Sequence, residues 1–184
     1  MTSENKSDVD SPTPVSVILI AYNEIESIEA DVNGFYRVVV EKIPGSELIV
    51  TEDGSTDGTS EKLLEIAEKL PIRLVQGEER KGYIPAFLDA LRLAENKWIL
   101  FSDTGGKFDP GDFWKMEPYR SKGDLIIGFK AERGDQFYRQ LMTRVFNWII
   151  RIYFHISVHD IDSGLRIYRK ETLFRAISTP LILK

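Results

Sequence analysis

Runs of β-branched and aliphatic residues alternate along this chain with longer segments in which apolar residues recur at helical spacing. The run VSVILIA at residues 15–21 is apolar at almost every position, which is typical of a strand buried on both faces of a parallel sheet. Strands are predicted at residues 15–21, 48–51, 72–75, 98–102 and 124–129, and helices at 23–42, 59–70, 85–95, 136–155 and from 171 onwards. Strands that alternate with helices predict an α/β fold built on a doubly wound, mostly parallel sheet.

Three polar segments come directly after predicted strands: AYNE at 21–24, EDGS at 52–55 and DTGGK at 103–107. The carboxyl ends of parallel strands meet at one edge of the sheet, where ligands of doubly wound folds bind. We therefore expect the three segments to form one ligand site. In the first of them Asn23 is predicted to cap the next helix, with Glu24 and Glu26 in a first turn whose dipole favours acids.

The length of 184 residues suits one domain, which we place at residues 15–184 after a disordered polar leader at 1–14. The absence of cysteine excludes disulfides and cysteine-based metal or redox sites. The net charge of −5 argues against a nucleic-acid partner. Residues 130–175 nevertheless carry a basic excess, which indicates either an anionic ligand or membrane face, or simply a solvated basic surface.

The polar amino terminus does not resemble a signal peptide, and no window reaches the roughly 18 apolar residues that span a bilayer. The most apolar segment, 145–158, is interrupted by Asn147, Arg151 and His155. The predicted helix at 136–155 has more apolar surface than one core face requires. It either packs against the sheet or a second copy, or lies in a membrane interface with its arginines toward lipid phosphates.

Two common phosphate-binding signatures are missing from the first strand–helix connection. The sequence there is Tyr22-Asn23-Glu24, without the G-x-G-x-x-G turn of dinucleotide folds or a Gly-Lys-Ser/Thr loop. The sequence therefore argues against nicotinamide-dependent hydride transfer and against a P-loop nucleotidase.

The remaining candidates are mostly acidic and basic side chains of the three polar segments at 21–24, 52–55 and 103–107, which we call the rim segments because they lie at the edge of the predicted sheet. Glu52 and Asp53 can accept hydrogen bonds from a nucleotide base or ribose, although Asp53 or Asp57 can equally cap the helix near residue 59. Asp103 can hold a divalent cation that bridges two phosphates. Lys107 can instead supply the positive charge itself, or lie exposed in its loop. His155 and His159 are spaced like a metal pair, but no third ligand is evident.

These segments together resemble the family 2 glycosyltransferases of the GT-A fold, the nucleotide-diphospho-sugar transferase fold. The resemblance is carried by VSVILIAYNE at 15–24, EDGSTDGT at 52–59, and WILFSD at 98–103 with FDP at 108–110, and it covers about residues 14–175. The segments MTRVFN at 142–147 and DIDSGLRIYR at 160–169 are similar to the polyprenyl-phosphate branch, the dolichyl-phosphate mannosyltransferase-like enzymes.

The resemblance implies an inverting transfer of a sugar from a nucleotide-diphosphate sugar to a polyprenyl phosphate. It also implies a cytoplasmic protein that can lie peripherally on the membrane face, with Mg²⁺ or Mn²⁺ at the diphosphate. By the same resemblance, Ala21, Tyr22, Glu24 and Asp53 would hold the nucleotide, Asp103 would face the metal-bound diphosphate, and Arg144, Arg166 and Lys130 would bind phosphate groups.

One motif departs from the family pattern. The family's Asp-x-Asp signature appears as Asp103-Thr104-Gly105, and Lys107 stands where the branch often has glutamine. Three alternatives follow: Lys107 replaces the cation, the metal binds weakly, or catalysis is lost and the chain is a binding or partner module. An active transferase with a saccharide hydroxyl acceptor is a further alternative, with Asp160 or Asp162 as its base.

Overall fold

The computed structural model of the protein describes residues 12–128 and 163–178. Within these residues a six-stranded sheet is flanked by helices. The strands are β1 Val15–Ala21, β2 Glu47–Glu52, β3 Arg73–Gln76, β4 Trp98–Asp103, β5 Leu125–Ile127 and β6 Leu165–Arg169. The helices are α1 Ile28–Phe35, α2 Thr59–Ala67, α3 Tyr83–Leu93, α4 Asp112–Met116 and α5 Lys170–Ile177, with a π-helical turn at Tyr36–Val40 and a 3₁₀ turn at Glu117–Ser121.

The strand order across the sheet is β3-β2-β1-β4-β6-β5. Strand β1 pairs in parallel with both β2 and β4, and β2 pairs in parallel with β3. The chain therefore reverses its direction of winding between β1 and β4, and the loops after these two strands diverge there. This opens a crevice at their carboxyl ends and confirms the predicted α/β, mostly parallel sheet.

Strand β6 corrects the sequence prediction, which treated residues 160–166 as a segment leading directly to the last helix. Residues Leu165–Arg169 instead insert antiparallel between β4 and β5. Leu165 and Ile167 are buried while the intervening Arg166 is half-buried, so the segment has the alternation of a strand. Five residues of such a pattern, directly after Ser163-Gly164, are too few to be distinguished from a loop by periodicity.

The core lies on both faces of β1, as its continuous apolar run predicts. Val17 and Leu19 face α1 and α2 on one side, and Ile18 faces the α3 layer on the other. Every residue of β1 is buried. Each aliphatic side chain buried in this way contributes about 1.5–3 kcal/mol, so the central strands form a rigid base for the loops at their ends.

Two predicted helix starts are corrected by the structure. Helix α1 begins at Ile28 rather than after Asn23, and Ser27 is the residue that precedes it. Asn23 has a φ of 54°, and its side-chain oxygen accepts the Thr56 amide at 2.9 Å, so it joins two loops instead of capping a helix. Helix α3 begins at Tyr83, which places Pro85 in the first turn, where its missing N–H has no helical partner to lose.

Several predictions fall outside the described residues: the leader up to residue 11, the helix at 136–155, Lys130, Arg144, His155, His159, Asp160 and Asp162. In the part of the chain that the structure describes, no helix combines the length and apolar character needed to cross a bilayer.

Candidate functional site

A cleft of about 280 Å³ lies at the carboxyl ends of β1, β2 and β4. The residues that line it are Ile20, Tyr22, Glu24, Asp53, Arg80, Tyr83, Asp103, Thr104 and Lys107. The structure thus brings together five of the side chains singled out in the sequence, from all three rim segments. Their contacts with a ligand stay predictions.

Three other predicted residues do not line this cleft. Ala21 is fully buried, and its carbonyl accepts the Asp53 amide at 3.0 Å. Glu52 is 1% exposed and turns back into its own loop, where it accepts the Ser55 amide at 2.5 Å. Arg166 donates from its Nε to the Ser163 carbonyl at 2.6 Å. Ala21 and Glu52 therefore shape the first two rim loops rather than present side chains to a ligand in the cleft.

Hydrogen bonds lock the first rim loop onto the second. The Asn23 amide donates to the Ser55 hydroxyl at 3.0 Å, and the Glu24 amide donates to the Thr59 hydroxyl at 2.9 Å. Asp57 accepts the Thr59 hydroxyl at 2.6 Å and the Thr59 amide at 3.0 Å at the start of α2, and these hydrogen bonds, that of the hydroxyl above all, lower the pKa of Asp57. The N-cap residue of α2 is Gly58, so Asp57 supports the first residue of the helix without being its N-cap, which corrects the capping interpretation. Glu24 is held in the cleft by its main chain.

Asp53 does not cap α2. Its carboxylate, only 4% exposed, accepts the main-chain amides of Lys81 at 2.8 Å and Gly82 at 3.0 Å. The loop at 77–82 is thereby drawn across the end of β2. Gly54 permits this close approach, because a Cβ there would lie 2.5 Å from the main-chain nitrogen of Arg80. Asp53 thus acts on the site through the loop that carries Arg80.

Arg80 was not found by sequence reasoning. Its guanidinium carbon lies 3.9 Å from the centre of the Tyr22 ring, within the range of a cation–π contact. The two side chains form a flat, stacked wall of the cleft. The only sequence signal was a basic residue in the charged segment GEERKG, which is indistinguishable from a solvated loop.

Tyr83 is a second residue that the sequence did not reveal. Its hydroxyl donates to the Asp103 carboxylate at 3.4 Å, a long hydrogen bond across the cleft. Burial raises the pKa of Tyr83 well above its usual range, and the negative charge of Asp103 raises it further. Tyr83 is therefore a protonated donor at neutral pH, placed beside the carboxylate that ends β4.

The third rim loop is held from below by Asp31 on α1. The Asp31 carboxylate, 7% exposed, accepts the amides of Gly105 at 2.8 Å and Gly106 at 3.1 Å. Both glycines have left-handed backbones, with φ of 90° and 63°, a conformation that residues with a Cβ rarely adopt. The Thr104 hydroxyl donates to the Ile20 carbonyl at 2.8 Å and fixes the same loop against β1.

The donor set at this loop does not fit a divalent cation held in the Asp-x-Asp manner. Gly105 offers no carboxylate, and Asp53 is committed to two main-chain amides. Residues 12–128 and 163–178 contain no group of three or more His, Cys, Asp or Glu side chains that can hold a metal ion. Asp103 and Glu24 line the cleft together with a basic residue, Lys107.

Comparison with known proteins agrees with the fold and the rim motifs. The family model described as Glycosyl transferase family 2 matches residues 16–174. The chain belongs to this family.

Among curated relatives, the chain is 28% identical over 160 residues to a dodecaprenyl-phosphate galacturonate synthase of Rhizobium johnstonii, covering 84% of this chain and 47% of that protein. It is 27% identical over 170 residues to a dolichol-phosphate mannosyltransferase of Pyrococcus furiosus, covering 86% of this chain and 47% of the relative. The chain thus spans about half the length of these relatives. Their names place the similarity in the polyprenyl-phosphate branch that the sequence resembles.

A solved structure shows the same architecture. Glucosyl-3-phosphoglycerate synthase of Mycobacterium tuberculosis, in complex with Mn²⁺, UDP and phosphoglyceric acid, superposes with a TM-score of 0.66 at 25% identity. The match covers 88% of this chain and 57% of that one. The GT-A fold expected from the sequence is confirmed.

Proposed function

We propose that residues 15–184 form a glycosyltransferase domain that moves a sugar, with inversion, from a nucleotide-diphosphate sugar to a polyprenyl phosphate. The observation that carries this proposal is the convergence of Tyr22, Glu24, Asp53 and Asp103 in one cleft at the switch point of the sheet. The names of the curated relatives support a lipid-phosphate acceptor.

The nucleoside end of the donor is assigned to the β1–β2 side of the cleft. The Tyr22–Arg80 wall offers a flat surface on which a base can stack. The Glu24 carboxylate is an acceptor for ribose hydroxyls, and Asp53 keeps Arg80 in place through the loop at 77–82. This arrangement separates base recognition from the end of β4, where the diphosphate lies in the proposal.

The reacting end of the donor is assigned to Asp103, Tyr83 and Lys107. A phosphate oxygen of the acceptor attacks the anomeric carbon while the bond from that carbon to the diphosphate breaks, and the nucleoside diphosphate leaves. A phosphate acceptor is already ionised at neutral pH, so no general base is required. Catalysis then depends on orienting the two phosphates and stabilising the charge of the leaving group. Arg166, with Arg144 and Lys130, is proposed to bind phosphate groups.

The direct test is transfer from a panel of UDP-, GDP- and CDP-sugars to undecaprenyl phosphate, with the lipid product detected by mass spectrometry. We expect one donor class to give a polyprenyl-phosphate sugar. Undecaprenol, which lacks the phosphate, is the matched control and is expected to give no product. Asp103→Ala should abolish turnover with the native thermal midpoint retained. Transfer to undecaprenol or a free saccharide, but not to the lipid phosphate, would replace the acceptor in this proposal.

A second candidate function is a binding or partner module that has lost catalysis, and the glycine at position 105 is the observation that favours it. This candidate predicts nucleotide binding without turnover for every donor, acceptor and metal tested. Turnover that disappears in Asp103→Ala would exclude it.

The acceptor also suggests a location. A polyprenyl phosphate resides in a membrane, so we propose that the protein acts peripherally at the cytoplasmic membrane face, with the basic stretch at 130–175 toward lipid phosphates. Sedimentation with anionic liposomes tests this. Binding should weaken as salt increases, and failure to sediment at low salt would contradict it.

A further inference from the structure

The loop that replaces the Asp-x-Asp motif is built around two glycines that cannot readily be exchanged. Gly105 and Gly106 are left-handed, with φ of 90° and 63°, and their amides are both bound by the same oxygen of the buried Asp31. Glycine tolerates this left-handed backbone, and the hydrogen bonds to the Asp31 carboxylate stabilise it. Lys107, the next residue, enters the cleft from this fixed turn.

The space beside Gly105 is already occupied by side chains of the cleft. A Cβ at position 105 would lie 3.0 Å from one carboxylate oxygen of Glu24 and 3.1 Å from the other. It would also lie 3.2 Å from the Cε of Lys107. An aspartate at 105 would thus meet the left-handed backbone, would require Glu24 and Lys107 to shift by a few tenths of an ångström, and would lie beside a carboxylate of like charge, so a second motif carboxylate is disfavoured in this arrangement.

The same distances place a cation in this part of the cleft. The last methylene of Lys107 and the Glu24 carboxylate both lie near a single point beside Gly105, so the ammonium group lies within a few ångströms of that point. The positive charge of Lys107 repels a divalent cation and offsets the negative charge of the neighbouring Glu24 carboxylate. It attracts the oxygens of a diphosphate for the same reason.

We infer that the Lys107 ammonium, held by the turn that Asp31 fixes, neutralises the donor diphosphate in place of a carboxylate-held divalent cation. Asp31 is then a positioning residue, since it touches the loop and not the ligand. The inference rests on the nucleotide-diphosphate donor of the proposed function, and it makes donor binding independent of metal.

The inference is tested by the binding of nucleoside diphosphates and nucleosides, which does not depend on turnover. Dissociation constants of UDP, GDP and CDP and of the corresponding nucleosides are determined by calorimetry for the full chain, with EDTA and with Mn²⁺. For whichever diphosphate binds, we expect the same affinity in both conditions. Lys107→Met should weaken diphosphate binding about ten-fold or more, because a hydrogen bond between charged groups is lost, and should leave nucleoside affinity unchanged.

Matched variants separate charge from general damage. Lys107→Arg keeps the cation and should retain most of the affinity. Lys115→Met removes an exposed lysine that pairs with Asp112 outside the cleft, and should change nothing. Asp31→Ala should reproduce the selective loss of diphosphate affinity, and its effect should not add to that of Lys107→Met, since both act through one group. Equal losses for diphosphate and nucleoside would instead show a merely structural role for Asp31.

Gly105→Asp tests whether position 105 can accept a carboxylate beside Glu24. It should destabilise the protein without creating a requirement for Mn²⁺, and a stable variant whose UDP or GDP affinity rises with Mn²⁺ would overturn the argument. Diphosphate binding that EDTA abolishes in the parent protein and that Lys107→Met leaves intact would overturn the inference while the transferase proposal stands. Diphosphate binding that depends on Lys107, without any sugar transfer, would overturn the transferase proposal while the inference stands. If none of the three diphosphates binds, the inference is overturned together with the nucleotide-diphosphate donor on which it rests.

Discussion

At the scale of single residues, Tyr83 connects the end of β4 to α3 by a hydroxyl group whose removal can be tested cleanly. The ring packs edge-on against Phe101, with centroids 5.8 Å apart, so Tyr83→Phe keeps this packing and deletes only the donor to Asp103. We expect kcat/KM to fall about ten-fold, and the free energy of unfolding to change by less than about 1 kcal/mol, since the hydrogen bond is long and half-exposed. Steady-state kinetics and urea denaturation measure the two quantities.

The pH dependence of Tyr83 follows from the sign of its pKa shift. Because burial and the Asp103 charge raise its pKa in the folded state, the folded protein holds this proton more tightly than the unfolded chain. Its contribution to stability is fully present below the ordinary tyrosine pKa of about 10 and is lost as the pH rises through the higher folded value. Because Tyr83 also stays protonated over this range, the pH profiles of kcat/KM for the parent and for Tyr83→Phe should be parallel up to about pH 9.5. A decline of kcat/KM at basic pH that is present in the parent and absent from the variant would contradict this.

At the scale of elements, Glu47 joins the amino ends of three strands. Burial alone would raise its pKa, but hydrogen bonds from the Ser16 hydroxyl, the Glu95 amide and the Arg73 guanidinium outweigh burial and lower it. A lowered pKa stabilises the fold above the ordinary value of about 4.3, and this stability is lost as the pH falls through the folded value.

Replacing this carboxylate should therefore change stability in a pH-dependent way. Glu47→Gln is expected to lower the thermal midpoint by a few degrees at pH 7, because charged hydrogen bonds become neutral ones. The difference from the parent should shrink toward pH 3.5, where Glu47 is increasingly protonated. Thermal melts from pH 7 to 3.5 test this, with Glu65→Gln as the control at an exposed helical glutamate. A difference that stays constant with pH would contradict the argument.

The approach of the loop at 77–82 to β2 depends on Gly54. Its φ is 72°, and a Cβ would lie 2.5 Å from the Arg80 nitrogen, so Gly54→Ala meets both backbone strain and a main-chain clash. Gly58→Ala is the matched control, because its φ is 97° but its Cβ would meet only the end of Ile25 at 3.7 Å. We expect about 1 kcal/mol of destabilisation in the control and about 3 kcal/mol at Gly54, measured by urea unfolding. Equal losses would show that the clash relaxes without cost.

The elements that the sequence predicted are encoded by local residue patterns, whereas those that it missed depend on contacts between residues far apart in the chain. The run at 15–21 encodes a buried strand locally, and the acids after β1, β2 and β4 follow from sheet topology alone. Arg80 and Tyr83 follow the shorter β3 and are held at the cleft by Asp53, which binds the amides of residues 81 and 82. That contact joins residues 28 positions apart, and nothing in the local pattern indicates it. Strand β6 was missed because its five-residue pattern is too short to be diagnostic and its pairing with β4 spans more than sixty positions.

At the scale of the whole molecule, the site is a set of loops that restrain one another around the switch point of the sheet. Asn23 joins the first rim loop to the second, Asp53 joins the second to the loop at 77–82, and Asp31 holds the third. Each contact is a side chain from one element bound to the main chain of another. A ligand that orders the first rim loop should therefore order the second rim loop and the loop at 77–82 as well, whereas the third rim loop is held separately by Asp31.

Hydrogen exchange can measure this coupling. A bound nucleoside diphosphate stabilises the native state by mass action and should slow exchange together in residues 22–25, 53–58, 78–82 and 103–107. Inorganic pyrophosphate lacks the nucleoside, so it should protect residues 103–107 strongly and residues 22–25 weakly. Protection confined to a single loop under the nucleotide would mean that the loops act independently. Equal protection by both ligands would place the binding energy at the phosphates alone, and would leave the Tyr22–Arg80 wall without a role in recognising the donor.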